Sequence, residues 1–344
     1  MKTSINILLV FLFAACTSVP DERMTPYVDF PETRELTART LSLDSALFRY
    51  PYRVRVQDDK AVVLDLHGTE YFFHAFHYPG FHYLSSFGKR GDAPEEMLSA
   101  ENLRWNGNFL WTLDSNKSEL TRLGFASSGD SLLRLEAVSL DEELLRALDF
   151  VQYDDSTFII PDYSGDSRFC LVSRQGKLLH KIGTIPTTDE DALKNAHPAL
   201  AQAWRSFIDY NPRNGVLAAV TQLGEVLEIY NLKDSTHIVR IGPNGEPEFQ
   251  ISQGYGIPTG IMGFSDIQVT DSAIYVVFQG RAFKDIMQKA QQGINLPDGG
   301  QNIYVFSLEG KPLRKYVLDH YIHGISVDEQ KGIIIATDVN KDEP

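Results

Sequence analysis

The sequence predicts an all-β fold: a six-bladed β-propeller of four-stranded antiparallel blades carrying short helical insertions. Three observations predict it. Six segments share one pattern, in which short apolar runs alternate with polar or glycine-bearing turns, and they start near residues 53, 103, 150, 206, 266 and 323. The spacings are therefore about 50, 47, 56, 60 and 57 residues, and units recurring at roughly this length mark a propeller. Finally, runs such as 216–220 and 333–336 are apolar throughout rather than alternating, as strands buried on both faces must be. A single blade cannot bury both faces alone, so neighbours stack and close into a ring. A pair of β-sandwiches is the competing arrangement, and six like units favour the ring.

The second segment shows the pattern most plainly. Residues 102–125 read as a strand, an Asn106-Gly107 turn, a strand, a polar turn at 114–118 and a third strand. Asn-Gly between apolar runs signals a hairpin because a type I′ turn needs positive φ at both central residues. The first segment (53–88) turns at 57–60 and at Pro79-Gly80, and the third (150–183) turns at Gln175-Gly176. The fourth (206–242) has turns at 212–215, Leu223-Gly224 and Lys233-Asp234, and the fifth (266–318) has its last at Glu309-Gly310. The sixth starts at His323 and stops after two strands. Either the last blade is incomplete or the sequence is truncated. Residues 35–45 alternate like an edge strand and are the N-terminal candidate for closing the ring. Helical period appears at 189–207, where Pro198 breaks the run, and at 283–290. Both insertions are expected on one face of the ring.

Composition bounds the function. The 344 residues carry 32 basic and 46 acidic side chains, a formal charge of −14. Phosphate recognition needs clustered Lys and Arg, so nucleic acid is not an expected partner. Two cysteines, Cys16 and Cys170, leave no disulfide framework. Residues 1–15 join Lys2 to an apolar run at 5–13 that is too short to span a bilayer, and then to two alanines, which has the form of a secretory signal. The end of that run, Phe13-Ala14-Ala15-Cys16, resembles a bacterial lipobox, with Phe where Leu is commonest. The resemblance implies that Cys16 becomes the first mature residue and carries the lipid. Residues 16–34 read as a tether bearing Pro20, Pro26 and Pro31, and 35–344 as the propeller. Asp21-Glu22, just after the cysteine, resembles a surface-export signal, so the periplasmic and surface faces both stay open.

Four further stretches carry a family resemblance: 87–96 (FGKRGDAPEE), 241–249 (IGPNGEPEF), 296–305 (LPDGGQNIYV) and 310–344. Over residues 35–344 the chain resembles the TolB-like six-bladed propeller lipoproteins of Bacteroidetes. The first two stretches look like the glycine-proline-acid connection between blades, where glycines permit positive φ and the acid accepts from backbone N–H groups of the next blade. The resemblance implies fold and compartment. It carries no catalytic motif.

Candidate chemistry is sparse. Asp266 and His323 lie at comparable starts of inner strands, and Asp209 lies slightly further along its own. Channel-lining residues of this kind could together hold one divalent cation such as Ca²⁺ or Zn²⁺. His67, His74, His77 and His82 cluster in the first blade, but His74 and His77 are three apart and point to opposite faces of a strand. No G-x-S-x-G elbow is present. Cys170 is expected to be buried, and the aromatic run at 71–83 to be core on alternate members. The expected function is a lipid-anchored binding or scaffold module of the cell envelope, placed at the outer membrane by what the family resemblance implies, whose ligand is a protein or glycan and which needs no cofactor. The rival is a metal-dependent, lactonase-like hydrolase or lyase with a central-channel site.

Overall fold

The computed structural model describes residues 24–41, 43 and 48–340. The signal segment, Cys16 and Asp21-Glu22 lie outside the described residues. Two short strands come first, β1 (Met24–Pro26) and β2 (Thr33–Leu36). Blade one is β3 (Pro51–Gln57), β4 (Lys60–Asp65), β5 (Tyr71–His77) and β6 (His82–Lys89). Blade two is β7 (Asn102–Asn106), β8 (Phe109–Asp114), β9 (Glu119–Phe125) and β10 (Leu132–Ser139). Blade three is β11 (Val151–Asp154), β12 (Thr157–Pro161), β13 (Phe169–Ser173) and β14 (Leu178–Ile182). Helices α1 (Glu190–Asn195) and α2 (His197–Ala203) lead into blade four: β15 (Ser206–Asn211), β16 (Val216–Thr221), β17 (Val226–Asn231) and β18 (Thr236–Ile241). A separate hairpin, β19 (Phe249–Ser252) and β20 (Tyr255–Pro258), precedes blade five. That blade is β21 (Phe264–Val269), β22 (Ala273–Phe278), β23 (Gly300–Ser307) and β24 (Pro312–Ile322), with α3 (Phe283–Gln291) between β22 and β23. The sixth unit is the pair β25 (Ile325–Asp328) and β26 (Ile333–Ala336).

The all-β propeller is therefore as expected, with five four-stranded blades and a sixth of two described strands. The innermost strands β3, β7, β11, β15, β21 and β25 follow one another around the centre, and β25 returns to β3. The middle strands are the most apolar: every residue of β16 is buried. Core clusters form between adjacent sheets; one joins Trp111 and Leu113 of blade two to Phe158 and Val172 of blade three. Glycines serve the turns where φ is positive, as at Gly107 (φ 53°) in the predicted Asn-Gly hairpin.

Each inner strand runs from what we call the loop face to the turn face. The β3–β4 and β5–β6 turns and their equivalents share the turn face: the Gln57 amide donates to Gly107 O and the Asn211 amide to Asp271, each bond joining equivalent turns of adjacent blades. The connections β14→β15 and β22→β23 both lie on the loop face, so both helical insertions do too. Asp189 caps α1 through the Ala192 N–H, and the helical run breaks at Ala196, just before Pro198, as the sequence predicts.

The N-terminal expectations need correction. Of residues 35–45, expected to close the ring, Glu35 and Leu36 belong to β2 and pair with blade five rather than with the last blade, while 42, 44 and 45 lie outside the described residues. Instead β1 pairs parallel with β18 as a fifth strand of blade four, and β2 pairs parallel with β24 as a fifth strand of blade five. Residues 24–34, expected as tether, are thus docked onto the propeller. The physical reason is burial. Phe30 packs against Tyr304 and Phe306 and Tyr27 against Phe306, covering the seam between blades four and five. The Tyr27 hydroxyl also donates to Glu225 across 2.7 Å. The inter-blade acids differ from expectation as well. Glu96 accepts from Ala93 N–H and Lys89 within its own connection, and Glu246 accepts from Thr187 and Thr188, which precede its blade.

Candidate functional site

The centre of the ring is the place to look for chemistry, because every inner strand contributes to it. It holds three arginines and three aspartates. Their arrangement follows one rule. Asp149, just before β11, accepts the Ile208 N–H of β15 at 2.9 Å. Asp209 in β15 accepts the Val269 N–H of β21 at 2.7 Å, and Asp266 in β21 accepts the Ile325 N–H of β25 at 2.8 Å. Each aspartate thus reaches 59 or 60 residues forward to the inner strand of the next blade. A buried N–H left without an acceptor is costly, so each such bond fixes the register between blades.

The arginines complete the carboxylates. Arg55 binds Asp266 through two parallel bonds of 2.9 Å and donates to Ile325 O at 2.7 Å. Arg53, 0% exposed, adds its Nε at 3.2 Å from the same carboxylate. Its guanidinium lies 4.1 Å from the Tyr52 ring centroid and 4.5 Å from that of Phe207, and its Nη1 meets His323 Nδ1 at 3.0 Å. Arg104 bridges Asp149 (3.0 and 3.2 Å) and Asp209 (3.0 Å), and donates to Phe150 O and Ile208 O. Planar guanidinium forks suit this task because they satisfy a carboxylate and carbonyls together.

The electrostatics agree with this reading. Burial opposes ionisation of Asp266, yet Arg53, Arg55 and the Ile325 N–H hold its carboxyl well below the usual carboxylate range. Asp209 goes the other way: burial raises it, and Arg104 and Arg55 offset that only in part. Burial first, then the neighbouring Arg53 charge, push His323 below its ordinary range, so it is neutral at pH 7. With Arg53 donating to Nδ1, its proton sits on Nε2.

The structure therefore brings Asp266 and His323 onto the same arginine and places Asp209 on another. They do not form a ligand set. The Asp266 oxygens already accept three hydrogen bonds and lie in ion-pair contact with Arg53, so a dication there would sit beside two guanidinium charges. Among the described residues no group of three or more His, Cys, Asp or Glu side chains is placed to hold a metal. In blade one, His74 is buried and bonded to Ser86, while His77 faces Asp59 in solvent, on opposite faces as the spacing implies. Cys170 is buried, and burial pushes its thiol up to about 12.

The arginines were not singled out from the sequence. The signal was present: RVRV at 53–56 and LRW at 103–105 place charge inside apolar inner strands. A further buried pair, away from the inner strands, was also not singled out. Arg168 binds Glu228 at 2.6–3.2 Å, with Ser206 and Trp204 O completing it, and so ties blade three to blade four. Outside the channel, two open grooves of about 630 and 740 Å³ lie along outer strands, one beside β10 and Arg174, the other beside β18 and Asn231.

A ring of six inner strands clasped by buried aspartate–arginine pairs defines a β-propeller with a closed, ion-paired centre. The model of the TolB-like 6-blade propeller-like family matches residues 29–330, and the chain belongs to that family. Among solved structures it is similar to a member of the duf4221 family from Bacteroides vulgatus (TM-score 0.54, 10% identity, 88% of this chain and 91% of that one). It is also similar to a protein of Bacteroides fragilis described as exported (TM-score 0.52, 11% identity, 83% and 80% covered). At these identities the likeness is one of fold. A search of curated protein sequences gives no match.

Proposed function

We propose that the protein is a lipid-anchored β-propeller of the cell envelope, held at the outer membrane through Cys16, that acts as a binding or scaffold module for a protein or glycan. One observation carries the choice between module and enzyme: the channel carboxylates that a metal would need are consumed in joining the blades. Asp266 and Asp209 each bind an arginine and the backbone of the following blade. What the ring leaves available is its surface, above all the loop face with its two insertions. The signal segment, the cysteine after Ala14-Ala15 and the family support the compartment.

Elemental analysis of the purified soluble domain tests the reading. The expected result is far less than one equivalent of any divalent metal, together with envelope proteins or glycans recovered by cross-linking on whole cells. A Ca²⁺ or Zn²⁺ content near one equivalent, lost in H323A or D266N, would overturn it in favour of a metal-dependent hydrolase or lyase.

A further inference from the structure

We propose that the loop-face mouth of the channel binds an acidic sugar, with the sugar's carboxylate on Arg205 and Arg146 and its hydroxyls on Glu101. This rests on the binding-module reading above and names the class of ligand. It starts from an imbalance. The chain has 46 acidic side chains for 32 basic ones, so an arginine readily finds a carboxylate. Yet the guanidinium groups of Arg146 and Arg205 meet no carboxylate or carbonyl within bonding distance, and Arg205 Nε is buried with no acceptor. A buried donor without an acceptor costs stability, so a native chain keeps one where it serves a purpose.

The fold brings these groups together. The loop-face starts of three inner strands are tied in a row: the Asn102 amide donates to Asp149 at 2.7 Å, and Asp149 accepts the Ile208 N–H at 2.9 Å. Glu101 immediately precedes the first of these anchors, and Arg146 and Arg205 lie a few residues ahead of the second and third. The bond from Gln222 N–H to Arg205 O extends the β15–β16 ladder by one residue. Arg205 therefore takes the side of the strand from which Phe207 reaches Arg53 and Asp209 reaches Arg104. Tyr163, in the β12–β13 loop, is held nearby, because Arg168 of that loop donates to Trp204 O and Ser206 Oγ on either side of Arg205. Glu101, Tyr163 and Arg205 are half-buried and Arg146 is exposed, so the cluster opens on the loop face.

Glu101 decides the kind of anion. Burial raises its carboxyl above the ordinary range, Ser115 donates to it at 2.9 Å, and Arg205 and Arg146 act on it from beyond bonding distance. A bare anion such as phosphate would meet this acid as well as the arginines. A ligand that carries a carboxylate and hydroxyls together suits both: the guanidinium forks take the carboxylate, and Glu101 accepts from the hydroxyls. A uronic acid has these groups on one small ring. The Tyr163 ring, which packs on no other aromatic ring or guanidinium among the described residues, offers a face to the sugar's C–H side.

Saturation-transfer NMR on the full-length chain in detergent micelles tests the site. Galacturonate and glucuronate are the probes, and glucose, inorganic phosphate and the peptide Gly-Gly-Asp are the comparisons. The expected result is transfer to a uronate but not to glucose or phosphate. Affinity should weaken about tenfold or more in R205M and in R146M, and stay unchanged in R213M, whose arginine pairs with Asp271 on the turn face. Arg146 is exposed and makes no bond through its side chain, so R146M keeps the test decisive if R205M fails to fold. Uronate affinity unchanged in both variants, equal transfer to phosphate, or binding of the peptide in place of either sugar would overturn the proposal. Absence of transfer to either uronate would overturn it too; if whole-cell cross-linking still recovers a partner, the binding-module reading stands without this site. Chemical conversion of the bound sugar would leave the site standing and overturn the module reading.

Discussion

Replacing Asp266 with Asn removes the charge that joins blade five to blades one and six. In the folded chain Asp266 is 1% exposed and serves Arg55 twice, Arg53 once and the Ile325 N–H once. An amide there leaves two guanidinium groups buried with no counter-charge in contact and turns an N–H₂ toward them. Breaking a buried pair by removing one partner costs about 3–5 kcal/mol. For about 300 folded residues, unfolding entropy near 2.1 cal/mol/K per residue gives roughly 0.6 kcal/mol/K, so the midpoint should fall by about 5–8 °C. Scanning calorimetry of parent, D266N, R55M and the double variant measures it. The double variant should recover part of the loss, because the unpaired charges are fewer. An unchanged midpoint in D266N, or strict additivity in the cycle, would refute the claim that this carboxylate closes the ring.

The remaining predictions address other contacts. In D209N, where the carboxylate is partly open to solvent and meets a single arginine, the midpoint should fall by less than in D266N under the same scan. R168M should cost about 3–5 kcal/mol by denaturant titration, since Glu228 is fully buried and would be left with the Tyr230 hydroxyl at 2.8 Å and His237 Nε2 at 3.9 Å; adding E228Q should restore much of it. His323 has a folded pKa below its unfolded value, so the stability it contributes is complete above the unfolded value near 6.5 and is lost as pH falls below it, at no more than about 1.4 kcal/mol per pH unit. The stability of H323Q should therefore fall less steeply than that of the parent between pH 6.5 and 5. Asp266, also lowered, acts in the same direction but only further into acid, below the ordinary carboxylate range. F30A should cost about 3 kcal/mol and speed hydrogen exchange at residues 24–36 while blades one to three keep their protection.

Much of this molecule was legible in the chain because the blade is a local device. The inner strands begin at Pro51, Asn102, Val151, Ser206, Phe264 and Ile325, within a few residues of the repeat starts, since apolar runs and turn residues act over a handful of positions. Pro198 divided its helical run where backbone sterics require. The site was legible only in part. Asp209 and Asp266 stood out as acids near the starts of inner strands, where they were candidate ligands for a channel cation, but nothing local tells which charges they meet. Arg55 lies 211 residues from its partner Asp266, and no local rule links the two.

Composition, period and the first 16 residues by themselves determined the fold class, the number of units and the expected envelope address, because these depend on short-range patterning. Only the tertiary structure decided which charges meet. Closure of the ring brings Arg53 and Arg55 of the first blade onto Asp266 of the fifth, and buries the carboxylate that an open channel would have offered to a metal. Ring closure also leaves the outer edges of β18 and β24 unpaired beside a seam large enough for Phe30, and so residues read as tether became strands. Long-range pairing of this kind is set by what burial leaves unsatisfied, which no stretch of sequence contains.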